Sequence, residues 1–220
     1  MNTNPPNPPS WPAPLPDRIG DGLARITAVL RSQEWDAATR LELTPTQLNI
    51  LGFLAVRGDA GVKVKEVAAE LGVSQPTATD SINALERKGH VAKVTGAGDR
   101  RSVLVRIAPS GRDLLRQAEA MPNPTQDAIA ALAPPAQEEM LMMLVGVIRH
   151  LQEAGAIPIQ RMCATCRHFR PFAHDDADRP HHCAFVDAAF GRRDFRVECA
   201  DHVTADPATR AATWAAFHKG

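Results

Sequence analysis

The sequence predicts a mainly α-helical fold with a two-stranded β wing and a small cysteine-rich C-terminal lobe. Three observations lead to this prediction. Apolar residues recur at helical spacing over most of the first 155 positions, the period changes to two in one short stretch, and every cysteine follows residue 160. Apolar residues are 44% and charged residues 23% of the chain, which is ordinary for a globular protein with one good-sized core and a small appendage.

Proline dominates the start of the chain. Residues 1–16 contain seven prolines, which lack a backbone N–H and fix φ, so we expect a disordered or polyproline-like arm there. No apolar run approaches the roughly 18 residues that a membrane span needs. No basic segment followed by an apolar stretch opens the chain, as it would in a signal peptide. We therefore expect a cytoplasmic protein without a membrane contact.

The first helices begin and end at recognisable signals. A helix is predicted over residues 17–39, where apolar side chains recur three and four residues apart at Ile19, Leu23, Ile26 and Leu30. A second helix follows Thr44, whose hydroxyl can cap it, and ends before Gly58. A short third helix is predicted over residues 65–71.

A tight turn and a longer helix come next. The turn LGVS at 71–74 leads into a helix that begins after Ser74 and runs to Lys88. Two helices joined this way form a helix-turn-helix, whose second helix enters the major groove of DNA with its N-terminal residues on base edges. The residues that would face DNA are small and polar: Ser74, Gln75, Pro76, Thr77, Thr79, Asp80 and Asn83.

The spacing of apolar residues then changes from helical to alternating. Residues 90–95 and 102–108 alternate apolar and polar side chains, which predicts two strands. The segment GAGDRR at 96–101 lies between them and predicts a flexible, basic loop at the tip of a hairpin. A helix-turn-helix followed by such a hairpin is a winged helix-turn-helix.

Basic residues on this hairpin are candidate DNA ligands. Lys93, Arg100 and Arg101 can contact the phosphates or the minor groove, and Asp99 can hold one arginine in a bidentate pair. Residues 63–106 hold eight basic and five acidic side chains, although the whole chain has no net charge. Because phosphates respond to a local patch, the neutral total does not exclude a nucleic-acid partner.

Helical patterns return after the hairpin, over residues 109–120, 124–132, 135–154 and 207–217. The segment 135–154 is apolar around much of its circumference, which predicts burial against a second subunit. The chain thus divides into an arm (1–16), an N-terminal dimerisation helix (17–42), a winged helix-turn-helix DNA-binding domain (43–108), C-terminal dimerisation helices (109–156) and a cysteine-rich metal-binding lobe with a tail helix (157–220).

Over residues 41–151 the chain resembles the MarR family of regulators, the multiple-antibiotic-resistance type. The resemblance is carried by LTPTQLNILGFLA (43–55), VAAELGVSQPTATDSINALERKGHVAKV (67–94), GDRRSVLVRIAPSGRDLL (98–115) and LAPPAQEEMLMMLVGVIRHL (132–151), and DRR at 99–101 matches the wing motif of the family. It implies a homodimer built from the first and last helices. It also implies repression that a phenolic or other small-molecule effector, or an oxidant, relieves. Lys65, the arm and everything after Ala154 depart from the family pattern.

All four cysteines lie in the C-terminal segment, spaced as Cys163-x2-Cys166-x16-Cys183-x15-Cys199. Clustered cysteines in a chain without a sign of export indicate metal ligands first. An iron–sulfur cluster fits one C-x2-C pair with two isolated cysteines. The spacing resembles that of high-potential 4Fe–4S proteins, and Phe169, Phe172 and Phe185 are available to shield a cluster.

Two alternatives to an iron–sulfur cluster stay open for the cysteines. A structural Zn²⁺ site is one of them, and in it His181, His182 or His202 can replace a thiol. Unliganded thiols or a thiol redox pair are the other. If metal is bound, the site can make the regulator responsive to redox state or to metal.

The sequence motifs favour a regulator over an enzyme. The chain has no dinucleotide-binding fingerprint, phosphate-binding loop, nucleophile elbow or HExxH zinc motif, so we expect no catalytic activity. A winged-helix protein-interaction or accessory module with a structural zinc site is the alternative. Salt dependence of DNA binding separates the two, because phosphate contacts make affinity fall steeply with salt.

Overall fold

The structure of the protein is a computed structural model that describes residues 13–96 and 99–219, without the side chains of residues 96, 99–102 and 219. The helices are α1 (Leu15–Arg40), α2 (Pro45–Ala55), α3 (Val64–Leu71), α4 (Gln75–Arg87), α5 (Pro109–Glu119), α6 (Pro124–Ala130), α7 (Pro134–Glu153) and α8 (Pro207–Lys219). The strands are β1 (Val62–Lys63), β2 (Val91–Gly96), β3 (Asp99–Ile107), β4 (Phe169–Arg170), β5 (His181–Cys183) and β6 (Ala188–Phe190).

Local capping sets the ends of α2 and α3. The Thr44 hydroxyl accepts the N–H of Gln47 at 3.2 Å, and the Gln47 side chain accepts the N–H of Thr44 at 3.1 Å. This reciprocal capping box fixes the start of α2. Gly72, at φ +60°, ends α3 in the left-handed region that favours glycine. α1 begins two residues before the predicted start, because Pro16 fits a first helical turn, where no N–H is needed.

One hydrophobic core joins α2, α3, α4 and the first sheet. Its fully buried side chains come from all of these elements and include Ile50, Leu51, Leu54, Val67, Ile82, Leu85 and Val105. Burial of one face of α4 in this core leaves the opposite face of that helix at the surface. The core therefore fixes α4 with its opposite, polar face at the surface.

The first sheet contains one strand more than the two that the sequence predicted. It has three strands in the order β1-β3-β2, with Val62 opposite Val105 and β2 antiparallel to β3. β1 is only two residues long, too short to show alternation in the sequence. The predicted loop over 96–101 is also too long, because β2 continues to Gly96 and β3 begins at Asp99.

The segment 157–205, which showed no periodicity, contains a second antiparallel sheet in the order β4-β5-β6. This sheet, the turn Cys163–Thr165 and helix α8 form the C-terminal lobe. Met162 and Phe169 of the lobe are buried together with Val145 of α7, and Trp214 of α8 packs against them. The lobe is thus a folded unit that rests on α7. Within residues 13–96 and 99–219, no helix is long and apolar enough to cross a membrane.

Candidate functional site

The predicted DNA-reading residues lie on the outer face of α4. Ala78, Ile82 and Leu85 of this helix are buried in the core. Of the predicted set, the exposed members are Ser74, Gln75, Pro76, Thr77 and Asp80, and the half-buried members are Thr79 and Asn83. The helix therefore presents a polar N-terminal half to solvent while its apolar side anchors it.

Several of these polar side chains also shape the helix itself. The Ser74 hydroxyl accepts the N–H of Thr77 at 3.2 Å and lies 2.8 Å from the Thr77 hydroxyl. The Thr79 hydroxyl donates to the backbone oxygen of Gln75 at 2.8 Å. Ser74, Thr77 and Thr79 thus stabilise the first turn, whereas the exposed Gln75 side chain extends from it.

Lys93 connects the wing to the recognition helix. Its ammonium group lies 2.7 Å from a carboxylate oxygen of Glu86 and donates to the side-chain oxygen of Asn83. Two predicted DNA ligands, Lys93 and Asn83, therefore contact each other in this structure. Their contact fixes β2 against α4, and with it the direction in which the wing leaves the domain.

The tip of the wing stays a prediction. Asp99 and the two following arginines, Arg100 and Arg101, belong to β3, but their side chains lie outside the described part of the chain.

All four cysteines line one cavity in the C-terminal lobe, with a volume of about 210 Å³. Cys163 begins the turn Cys163–Thr165 and Cys166 follows it, Cys183 ends β5, and Cys199 lies in the loop before α8. The Cys163 N–H donates to the backbone oxygen of Arg196 at 2.9 Å, which brings the last loop against the first turn. The fold thus assembles four thiols that span 37 positions of sequence.

The walls of this cavity are largely apolar, and Arg196 supplies polar contacts to two of the sulfurs. Apolar walls come from Phe169, Phe185, Val186 and Phe190. The backbone N–H of Arg196 lies 3.4 Å from the Cys163 Sγ, and its guanidinium group lies 3.6 Å from the Cys199 Sγ. Burial raises the pKa of the Cys163 thiol to about 11, although the hydrogen bond from the Arg196 N–H acts to lower this pKa. None of the four cysteines forms a disulfide.

The three histidines considered as substitute metal ligands do not line the cysteine cavity. His181 is 1% exposed among aromatic rings, including Phe169 and Phe217. His182 lies 3.4 Å from a carboxylate oxygen of Asp187. The Nε2 of His202 lies 3.0 Å from the Thr165 hydroxyl, and burial together with Arg161 lowers the pKa of His202 to about 4. Phe172, predicted as a shield, packs beside His181 and Phe217.

An ion-pair network joins the cysteine lobe to the domain that contains α2 and α3, and the sequence analysis missed it. Glu198, next to Cys199, lies 3.5 Å from a guanidinium nitrogen of Arg57 and 3.4 Å from one of Arg161. Arg57 follows α2, and its other terminal nitrogen lies 3.7 Å from a carboxylate oxygen of Glu70 in α3. Burial raises the pKa of Glu198, although both arginines act to lower it. We name this set of contacts the Arg57 network.

The order of helices around α3 and α4, followed by a sheet with a wing, defines a winged helix-turn-helix domain. Residues 41–102 match the model of the MarR family, whose members are transcription regulators and not enzymes. FabT of Streptococcus pneumoniae in complex with DNA is 24% identical, with a TM-score of 0.51 over 63% of this chain and 98% of that one. The regulator BldR of Sulfolobus solfataricus is 24% identical, with a TM-score of 0.50 over 63% and 99%.

These comparisons confirm the mainly helical winged-helix fold. The family match ends at residue 102 and so does not include the C-terminal lobe.

Proposed function

We propose that the protein is a sequence-specific transcription regulator that binds double-stranded DNA as a homodimer and represses transcription. The observation that carries this proposal is α4, whose polar N-terminal half is exposed while its apolar face is anchored in a winged-helix core. The positive end of the helix dipole can sit near a DNA phosphate at Ser74. FabT, which shares the fold, was solved in complex with DNA.

Two apolar helix surfaces support the homodimer. α1 exposes Leu23 and Leu30 at 42% and 45%, and α7 exposes Met143 and Val147 at 65% and 50%. The opposite side of α7 packs against the C-terminal lobe. Because exposed apolar stripes of this length mark interaction surfaces, we propose that a second copy of the chain covers them.

A small-molecule effector has a candidate place between α1 and the connection from α5 to α6. A cavity of about 740 Å³ lies there, and its walls include Leu30, Ala37, Ala118 and Met121. A ligand in this position would contact both the dimerisation helix α1 and α5, the helix that follows the wing. We propose that such a ligand relieves repression by changing the spacing of the two recognition helices.

Binding to DNA is tested by selecting duplexes from a random pool with the full-length protein. The affinity for the selected duplex is then measured at increasing salt concentration. A regulator that contacts phosphates shows a steep linear fall of log affinity with log salt. No enrichment of any sequence, or an affinity independent of salt, would contradict the proposal and favour a protein-interaction module.

Gln75→Ala is expected to relax sequence preference at one base pair of each half-site. The exposed Gln75 amide at the start of α4 supports this assignment, and a contact between such an amide and a base edge discriminates by about 1–3 kcal/mol, or roughly 5- to 150-fold. Competition between the selected duplex and its single-base variants measures this effect. The control is Gln117→Ala, which removes an exposed glutamine side chain of α5 and is expected to leave the sequence preference unchanged. If Gln75→Ala and Gln117→Ala had the same sequence preference, Gln75 would not contact a base.

We further propose that the C-terminal lobe controls DNA affinity through the Arg57 network, which makes the regulator responsive to the redox or metal state of its cysteines. A change around Cys199 acts on the neighbouring Glu198 and, through Arg57, on α3 of the helix-turn-helix. Glu138 and Arg193, 2.8 Å apart, form a second ion pair, which ties the lobe to α7 without a contact to α3. Neutralising Glu198 in one variant and Glu138 in another therefore compares an ion pair that reaches α3 with one that does not.

Glu198→Gln is expected to uncouple the lobe from DNA binding. Alkylating the four thiols with iodoacetamide should change the DNA affinity of the natural protein by about five-fold or more, the lower end of typical allosteric coupling. In Glu198→Gln the same treatment should change affinity by about two-fold or less, since one neutralised partner removes most of the ion-pair energy. Glu138→Gln should respond like the natural protein. Full coupling in Glu198→Gln would exclude the Arg57 network as the connection.

A further inference from the structure

The four cysteines share one cavity, but within residues 13–96 and 99–219 their side chains do not form a compact site for a single metal ion. All four cysteines line the same space of about 210 Å³. Across residues 13–96 and 99–219, no three side chains of His, Cys, Asp or Glu are gathered closely enough to hold a single metal ion. The arrangement thus combines a shared cavity with separated thiols.

A single zinc ion needs a different arrangement. Zinc binds thiolates at about 2.3 Å in a tetrahedron, which places any two sulfurs about 3.8 Å apart. Within residues 13–96 and 99–219, the side chains of the cysteines are not gathered as closely as such a tetrahedron requires. Of the histidines near the cysteines, His181, His182 and His202 contact Phe169, Asp187 and Thr165 instead, whereas His168 lies on the cavity wall.

We propose that Cys163, Cys166, Cys183 and Cys199 bind one 4Fe–4S cluster in this cavity. Such a cluster places its inorganic core between the four cysteine sulfurs and holds them apart. Each thiol gives up its proton and forms one bond to a different iron of the core. A core of charge +2 with four thiolates carries a net charge of −2. Cluster binding does not depend on the proposed DNA-binding function, whereas its effect on DNA affinity does.

Apolar walls and Arg196 suit an anionic cluster, although the carboxylates of Asp194 and Asp201 also line the cavity. Phe169, Phe185 and Phe190 form apolar walls that limit the access of water. Arg196 brings a positive guanidinium group to the Cys199 sulfur and a backbone N–H to the Cys163 sulfur. Hydrogen bonds to the sulfurs and nearby charge stabilise an anionic cluster and set its reduction potential.

The test begins with the full-length chain purified without oxygen. One portion is incubated without oxygen with equal amounts of ferrous and ferric iron and with sulfide, which together supply the two Fe(II), two Fe(III) and four sulfides of a +2 core, and a second portion is incubated with zinc alone. After removal of unbound ions, iron, sulfide and zinc are measured together with the visible absorption and Mössbauer spectra. The expected result is a brown protein with about four iron and four sulfide per chain, and a Mössbauer spectrum of a 4Fe–4S centre. Tight binding of one zinc per chain without iron uptake, or no metal in either portion, would overturn the proposal.

Two variants identify the ligands. Cys163→Ser is expected to lose most of the bound iron, whereas His168→Gln, which changes a non-thiol residue on the cavity wall, keeps it. Circular dichroism of both variants checks that the lobe and the winged-helix domain remain folded. Iron retained in folded Cys163→Ser, or lost in folded His168→Gln, would refute a shell of four thiols. DNA binding is measured separately, so failure of the cluster and failure of the regulator proposal give different results.

Discussion

Gly111→Ala is expected to lower the free energy of unfolding of the winged-helix domain by about 3 kcal/mol. Gly111 is buried in α5, and an added Cβ would lie 2.4 Å from the backbone oxygen of His90. It would also lie 3.0 Å from a side-chain carbon of Ile107 and 3.1 Å from one of Leu51. The His90 oxygen accepts the N–H of Ala108, which limits how far this backbone can move. The gain in helix propensity from alanine, about 1 kcal/mol, does not offset the clash.

Gly52→Ala is the matched control for this substitution. Gly52 lies in α2, and an added Cβ meets nothing within 4 Å. We expect this variant to be as stable as the natural protein or up to about 1 kcal/mol more stable, because alanine favours the helix. Urea unfolding followed by circular dichroism measures both variants. If both substitutions changed the free energy of unfolding by the same amount, the close packing of α5 on the first sheet would be contradicted.

The elements that the sequence predicted correctly are those whose signals are local. Thr44 and Ser74 cap α2 and α4, and the sequence placed both helix starts within one residue of the structure. Each signal acts over a few neighbouring residues, so it can be read without knowing the tertiary fold. The predicted helix-turn-helix, confirmed by the family match and by the fold of known regulators, follows from these local signals.

The features that the sequence did not predict depend on distant partners. β1 is two residues long and exists through its pairing with β3. The strands of the lobe are two or three residues long, too short for a period-two pattern. The contact between Arg57 and Glu198 joins residues 141 positions apart. Cysteine spacing predicted a shared site, but only the folded lobe places the four thiols around a cavity.

Leu23→Asp combined with Leu30→Asp is expected to convert the proposed dimer into monomers and to lower DNA affinity by at least about 100-fold. Both leucines lie on the exposed apolar stripe of α1. Burying a leucine side chain contributes about 1.5–3 kcal/mol, and a buried unpaired carboxylate costs more. In a twofold-symmetric interface each substitution occurs twice, so the effects on dimerisation are doubled. A monomer contacts only one half-site, which accounts for the loss of DNA affinity.

Ala28→Asp provides the control on the same helix. Ala28 is exposed and lies about 150° around α1 from the mean direction of the two leucines, so the same charge is added away from the stripe. Light scattering after size exclusion gives the mass of each variant, and DNA affinity is measured beside it. If the double variant were monomeric but kept its DNA affinity, dimerisation would not be needed for DNA binding. A single chain would then be sufficient to recognise DNA. A dimer that survives the double substitution but not Ala28→Asp would place the interface on the opposite face of α1. If the double variant loses the dimer and Ala28→Asp keeps it, the apolar stripe of α1 is the dimer interface. It is then the surface that sets the spacing of the two recognition helices.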